Sequence, residues 1–137
     1  EELFNFANGM CLSPDGNFLY VVESFHPCVS RLPINADGTF GKKEIFTENI
    51  EIVPDGLAFD KENNLFISCY EPSRIYVADQ NGNCKILIED SHCTVMAHPT
   101  NIAISNEMQF SCPPGGRLFA ATNYGFVKDT TSSCKDA

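Results

Sequence analysis

Asn8-Gly9-Met10-Cys11-Leu12-Ser13 returns 47 residues on as Asp55-Gly56-Leu57-Ala58-Phe59-Asp60, and more weakly after a further 46 as Asn101-Ile102-Ala103-Ile104-Ser105. Each copy opens on a short side chain that carries an oxygen and continues as an apolar strand. A repeat of this length is what a four-stranded propeller blade takes, roughly 40–50 residues. The interior of the first period fits: the turn Pro14-Asp15-Gly16-Asn17, a β-rich run from Phe18 to Val22, a strand from Val29 to Ile34, the turn Asn35-Ala36-Asp37-Gly38, then Lys43 to Thr47. The second period repeats it, with a turn at Lys61 to Asn64, strands Leu65 to Tyr70 and Arg74 to Ala78, a turn from Asp79 to Asn83 and a strand Lys85 to Glu89. Asp-Gly and Asn-Gly between apolar runs are the strongest local hairpin signal. No segment keeps a helical period beyond two turns.

The predicted fold is therefore all-β, a β-propeller with two full blades and part of a third, starting near residues 8, 55 and 101. In the third period, residues 109 to 116 read as a loop around Pro113-Pro114-Gly115-Gly116, before a strand at Arg117-Leu118-Phe119-Ala120-Ala121. Residues 128–137 are nearly devoid of apolar side chains and are expected to form a loose tail. Propellers close with roughly four to eight blades, because an open stack leaves edges and sheet faces uncovered. Two blades and a fraction cannot close a ring. The expected partners are further blades of a parent protein, a second chain, or a copy of this one.

Composition narrows the function. The 137 residues carry nine basic and eighteen acidic side chains, a formal net charge of -9, which argues against a nucleic-acid partner. No apolar run approaches the roughly 18 residues of a membrane span, and no signal peptide is visible in a chain that starts at Glu1. The seven cysteines contain no C-x-x-C pair, so zinc-ribbon and thioredoxin readings lack their spacing. Cys11 and Cys69 sit in strand-like runs and read as small buried hydrophobes. Cys93, Cys112 and Cys134 lie in polar, loop-like surroundings where an extracellular protein would form a disulfide. The cysteines do not settle the compartment, and a cytoplasmic location is favoured only slightly over secretion. Nucleophile-elbow, P-loop and dinucleotide motifs are absent.

The residues Asn8 to Gly16, followed by Phe18-Leu19-Tyr20-Val21-Val22-Glu23-Ser24, resemble a motif of the regucalcin, gluconolactonase and luciferin-regenerating enzyme family. There an N-G-L-x-x-S-P-D-G turn precedes an L-Y-V strand. Pro54-Asp55-Gly56-Leu57-Ala58-Phe59-Asp60, with Asn64 to Tyr70, resembles the P-D-G-L-x-x-D segment of that family. Pro99 to Ile104 and Arg117 to Ala121 resemble its last blade. The resemblance runs from about Asn8 to Tyr124 and implies the later part of a six-bladed ring with one divalent metal on its axis. It implies Asn8 and Asp55 as metal ligands. The family's N-terminal glutamate and an earlier asparagine have no counterpart here, and Glu1 and Glu2 are not that glutamate.

The chemistry is coherent with the pattern. Inner strands of adjacent blades converge on the axis, so an amide and a carboxylate oxygen meeting there suit calcium, magnesium or manganese better than zinc. Asp55 would serve as ligand and as base or nucleophile while the metal polarises a carbonyl or phosphoryl oxygen. The competing reading of Asn8 and Asp55 is that both are turn residues beside a glycine. Asn101, His98 and Tyr70 are weaker candidates for substrate contact. Asn101 could equally be a loop residue, His98 a hydrogen-bonded loop histidine, and Tyr70 a packing aromatic. Ser24, like Tyr70, ends a second strand, where the resemblance places the substrate pocket. Asp15 and Asp37 read as structural turn residues. The leading function is metal-dependent hydrolysis of a small lactone, with a sugar lactone first. Hydrolysis of organophosphate esters and a non-catalytic segment for binding or assembly are the alternatives.

Overall fold

The computed structural model describes residues 3–51, 53–105, 117–122 and 127–129. Its elements are all strands: β1 (Ala7–Leu12), β2 (Phe18–Glu23), β3 (Cys28–Pro33), β4 (Glu44–Thr47), β5 (Pro54–Phe59), β6 (Leu65–Cys69), β7 (Arg74–Ala78), β8 (Cys84–Glu89), β9 (Pro99–Ser105), β10 (Arg117–Thr122) and β11 (Val127–Asp129). They form two four-stranded antiparallel meanders, β1-β2-β3-β4 and β5-β6-β7-β8, and a three-stranded sheet β9-β10-β11. These are two blades and part of a third, and β1, β5 and β9 lie side by side as their innermost strands. Lys128 and Asp129, which the composition puts in a loose tail, are the last two residues of β11 and pair with Ala120 and Phe119. Backbone pairing there needs no apolar side chain. The loop predicted at 109–116 lies outside the described residues.

Turn chemistry follows the expectation. Asp15 accepts from the Ser13 hydroxyl and from the backbone and side chain of Asn17, and Asp37 does the same for Thr39. Gly16 and Gly38 adopt φ of 73° and 82°, the left-handed region such turns need.

Every strand of a propeller blade but the outermost is covered on both faces, which is why β6 reads as an unbroken apolar run. Leu65, Ile67 and Cys69 point into one seam with Tyr20, Val22 and Val29 of the first blade, joined by Leu57 of β5. Phe66 points the other way, into a second seam with Ile75, Met96 and Ile102 of β9. Each seam between blades is thus a small hydrophobic core. Cys11 packs against the first seam and Cys69 is fully buried in it, as their apolar neighbourhoods imply. Burial pushes both thiols up to about 12, so they act as hydrophobes rather than nucleophiles. Cys93 carries a thiol that meets the Ser73 hydroxyl at 3.3 Å, not a disulfide, while Cys112 and Cys134 lie outside the described residues.

Candidate metal centre on the inner strands

Asn8-Gly9 and Asp55-Gly56 are not turns. Both pairs lie inside strands, in β1 and β5. At each pair the ladder with the next strand slips by one residue: Ala7 and Met10 face Glu23 and Val21, while Pro54 and Leu57 face Cys69 and Ile67. This is a β-bulge at the same place in two blades, a device that re-aims a side chain out of the pleat. The glycines have a different task from the one their dipeptides suggest. A Cβ on Gly9 would collide with the Asp55 carbonyl oxygen and lie 2.9 Å from the Gly56 Cα. A Cβ on Gly56 would lie 2.6 Å from the Asn101 Cα and 2.8 Å from the Thr100 carbonyl oxygen. The missing side chains let neighbouring inner strands close on one another, bringing the bulged residues of successive blades together.

This geometry shifts the third position by one residue. In β9 the slip falls between Pro99, opposite Thr122, and Asn101, opposite Ala121. Thr100 therefore takes the place of Asp55, and Asn101 the place of Gly56. Asn101 Oδ1 accepts the Ile102 N–H at 2.9 Å, which commits it to its own strand. Thr100 is the residue that a fixed period misses, because the step from Asp55 is 45 residues where that from Asn8 to Asp55 is 47.

Burial raises the pKa of Asp55, and among the described residues its carboxylate has no hydrogen bond or ion pair to offset that cost. Asn8 Nδ2 donates to Ser24 Oγ at 3.5 Å, which leaves Asn8 Oδ1 facing away from that bond. Ser24 is buried, with 3% exposure, and its hydroxyl donates to the Pro54 carbonyl at 2.7 Å. A desolvated carboxylate and an amide oxygen at matching positions of neighbouring inner strands are a donor set that fits a hard divalent cation such as calcium. Among the described residues no group of three or more His, Cys, Asp or Glu side chains forms a metal cage, so the soft and nitrogen-rich set of a structural zinc site is not found there.

Tyr70 and His98 are brought together. Their rings stack with centroids 4.6 Å apart at 21°. His98 Nδ1 lies 3.0 Å from the Tyr70 carbonyl, which can only accept, so Nδ1 carries the proton. The His98 N–H donates to Ser73 Oγ at 3.0 Å. The segment before them hangs on Asp90, whose carboxylate accepts from Val95 N (2.6 Å), Met96 N (2.8 Å) and Thr94 Oγ1 (3.2 Å). Burial works to raise its pKa, but these bonds prevail and hold it at about 2.

Glu23, which the sequence leaves without a role, is fully buried. It accepts from Asn5 N (2.7 Å), Ser30 Oγ and Lys43 Nζ (3.2 Å), while Lys43 also reaches the Leu3 carbonyl at 2.6 Å. Desolvation opposes its charge, yet the bonds from Asn5, Ser30 and Lys43 leave its carboxyl below the usual range. The cluster pins residues 3–5, which lead into the strand that carries Asn8, against Glu23 of β2. Neither Glu23 nor Asp90 has a sequence signature, because their partners are backbone amides or distant side chains.

Residues 1–109 match the family described as SMP-30/gluconolactonase/LRE-like region. The chain belongs to that family. Lactonase drp35 of Staphylococcus aureus (strain bovine RF122 / ET3-1) is 28% identical over 134 residues, covering 89% of this chain and 41% of the relative. Among solved structures, a gluconolactonase from Xanthomonas campestris superposes with a TM-score of 0.69 at 21% identity, over 88% of this chain and 36% of that one. A calcium-binding regucalcin from Agrobacterium tumefaciens gives 0.63 at 24%, over 88% and 39%. These similarities place the fold as part of a six-bladed propeller. The chain spans well under half the length of these relatives.

Proposed function

We propose that this chain supplies one side of the axial site of a metal-dependent lactone hydrolase. The observation that carries the reading is the pair of matching bulges. They put the half-buried carboxylate of Asp55, without a hydrogen bond or ion pair among the described residues, and the amide of Asn8 at matching positions of neighbouring inner strands, in a family whose relatives include a lactonase and a gluconolactonase. Asn8 Oδ1 and the Asp55 carboxylate would hold one divalent cation, with calcium first. The regucalcin neighbour, described as calcium-binding, supports that choice. A bound divalent ion supplies Lewis-acid polarisation of the lactone carbonyl. Asp55 contributes the anionic charge that retains the ion, and its carboxylate can take a proton from attacking water, a role that a raised pKa suits. The stacked Tyr70 and His98 form an ordered aromatic wall at the end of the second blade, where a small cyclic ester would lie.

Calcium takes six to eight oxygens, so two donors require more from further blades and water. Completion of the ring by other residues or another chain belongs to the same reading. The test is a gluconolactone hydrolysis assay on the completed ring, with metal content measured in parallel. Asp55→Asn is expected to lose most activity and its metal together. Unchanged turnover with unchanged metal content would overturn the proposal.

A further inference from the structure

The Ser24 side chain links the Asn8 amide to the carbonyl of Pro54, the residue directly before Asp55. Its proton is committed to the Pro54 carbonyl at 2.7 Å, directly before Asp55. A hydroxyl that has given its proton presents only lone pairs to other groups. It must therefore receive the NH2 end of the Asn8 amide, and Nδ2 lies at 3.5 Å. Had the hydroxyl been free to donate, the amide could face it with either end. The backbone at Ser24 is fixed as well, since its N–H donates to the Phe6 carbonyl at 3.0 Å across the start of β1. The strand register puts Tyr70 at the corresponding place in the second blade, following Cys69 as Ser24 follows Glu23. A small buried hydroxyl is thus not a general need of the blade at this position. It occurs where an amide and a carboxylate of adjacent blades meet.

We propose that Ser24 is the positioning residue of the axial site: it turns the Asn8 carboxamide so that the oxygen faces outward, and it ties the head of β5 to β1. The role of the Asn8 oxygen toward a cation rests on the function proposed above, whereas its orientation by Ser24 does not. Groups that orient metal ligands without touching the metal typically cost about 10–100-fold in affinity when removed.

The test uses the full chain, the variants Ser24→Ala, Ser24→Thr and Ser24→Cys, and two readouts. The first needs no metal: the order parameter of the Asn8 side-chain NH2 by NMR relaxation. It is expected to fall in Ser24→Ala, to stay at the wild-type value in Ser24→Thr and to be intermediate in Ser24→Cys, whose sulfur is a weaker acceptor. Should Ser24→Ala not fold, Ser24→Cys against Ser24→Thr makes the same comparison. The second readout is titration of the completed ring with calcium chloride. Ser24→Ala is expected to weaken binding by about 10-fold or more. The same change in an Asn8→Asp background is expected to cost far less, because a carboxylate presents an oxygen whichever way it turns. A general loss of stability would lower both backgrounds equally. An Asn8 amide as ordered in Ser24→Ala as in the wild type overturns the inference. So does equal calcium loss in the two backgrounds. If Asp55→Asn leaves calcium binding unchanged, the metal reading fails, and the Asn8 order parameter still decides the role of Ser24.

Discussion

The carbonyl oxygen of Asp55 occupies the space in which any residue but glycine at position 9 would place its Cβ. The backbone at Gly9 is not in the left-handed region, so alanine is conformationally acceptable there and the whole penalty comes from the neighbouring strand. Gly9→Ala is expected to destabilise the fold by about 1–3 kcal/mol, since backbone rather than a flexible side chain must yield. Gly56→Ala should behave alike against Asn101. Gly16 provides the contrast: a Cβ there meets nothing within 4 Å, and only its φ of +73° opposes substitution. Urea unfolding of the three variants, compared by midpoint, checks the order Gly9 and Gly56 above Gly16.

Asp55 is expected to make the unbound protein less stable at neutral pH, since burial opposes its charge. Its pKa in the fold lies above the ordinary 3.8, with burial as the cause. The folded state therefore holds this proton more tightly than the unfolded chain does. The contribution of Asp55 to stability is fully present below the unfolded value and is lost as pH rises through the folded one. At neutral pH and without metal, Asp55→Asn is expected to be at least as stable as the wild type, and its stability should vary less with pH above 4. Calcium should reverse the order. At 100 times its dissociation constant a ligand adds about 2.7 kcal/mol, and the variant should gain little of it. Thermal unfolding from pH 4 to 8 measures the first effect, and the same scan of the completed ring with and without calcium chloride measures the second.

Much of this was legible in the residues. Asp15-Gly16 and Asp37-Gly38 are turns because the Asp side chains bond the backbone two residues on and glycine accepts positive φ, both purely local effects. Asn8-Gly9 and Asp55-Gly56 look the same locally and are not turns. Their glycines answer to a strand in the next blade, some 45 residues away, and no local rule carries that information. The choice of Asn101 in place of Thr100 has a related cause. All three inner strands carry the same bulge, but the connections between them differ in length, so a fixed period lands beside the right position rather than on it. Glu23 and Asp90 were invisible for a third reason: a carboxylate that accepts from loop amides has no characteristic spacing.

Asp90 should control acid stability. Its carboxyl is held at about 2 against an ordinary 3.8, the backbone amides of Met96 and Val95 outweighing burial. The sign is opposite to that of Asp55. A lowered folded value contributes stability that is present above the unfolded pKa and disappears as pH falls from about 4 to about 2. Asp90→Asn is expected to cost about 1–3 kcal/mol at neutral pH by leaving buried amides poorly paired. It should also flatten the acid limb of the stability curve. Because Asp90 holds the segment that delivers His98 to Tyr70, the variant should loosen the stacked pair. Loss of protection at the Val95 and Met96 amides by hydrogen exchange provides the local check.

The first blade shows a seam without its neighbour. Register makes Met10 the counterpart of Leu57, and Leu12 the counterpart of Phe59. Leu57 is buried between the first two blades at 7% exposure and Phe59 packs against the same core. Met10 and Leu12 are 62% and 59% exposed. The same strand positions thus meet a blade in one case and solvent in the other, so the apolar face of β1 has the character of an interior surface. The expected consequence is concentration-dependent association of the chain through this face when nothing else covers it. Met10→Lys with Leu12→Lys should suppress that association without lowering the unfolding midpoint, since neither side chain is buried within the chain. Sedimentation velocity over a hundredfold concentration range distinguishes the outcomes. A single monomeric species at every concentration in the wild type would show that this face needs no cover, and with it would go the expectation that other blades complete the ring.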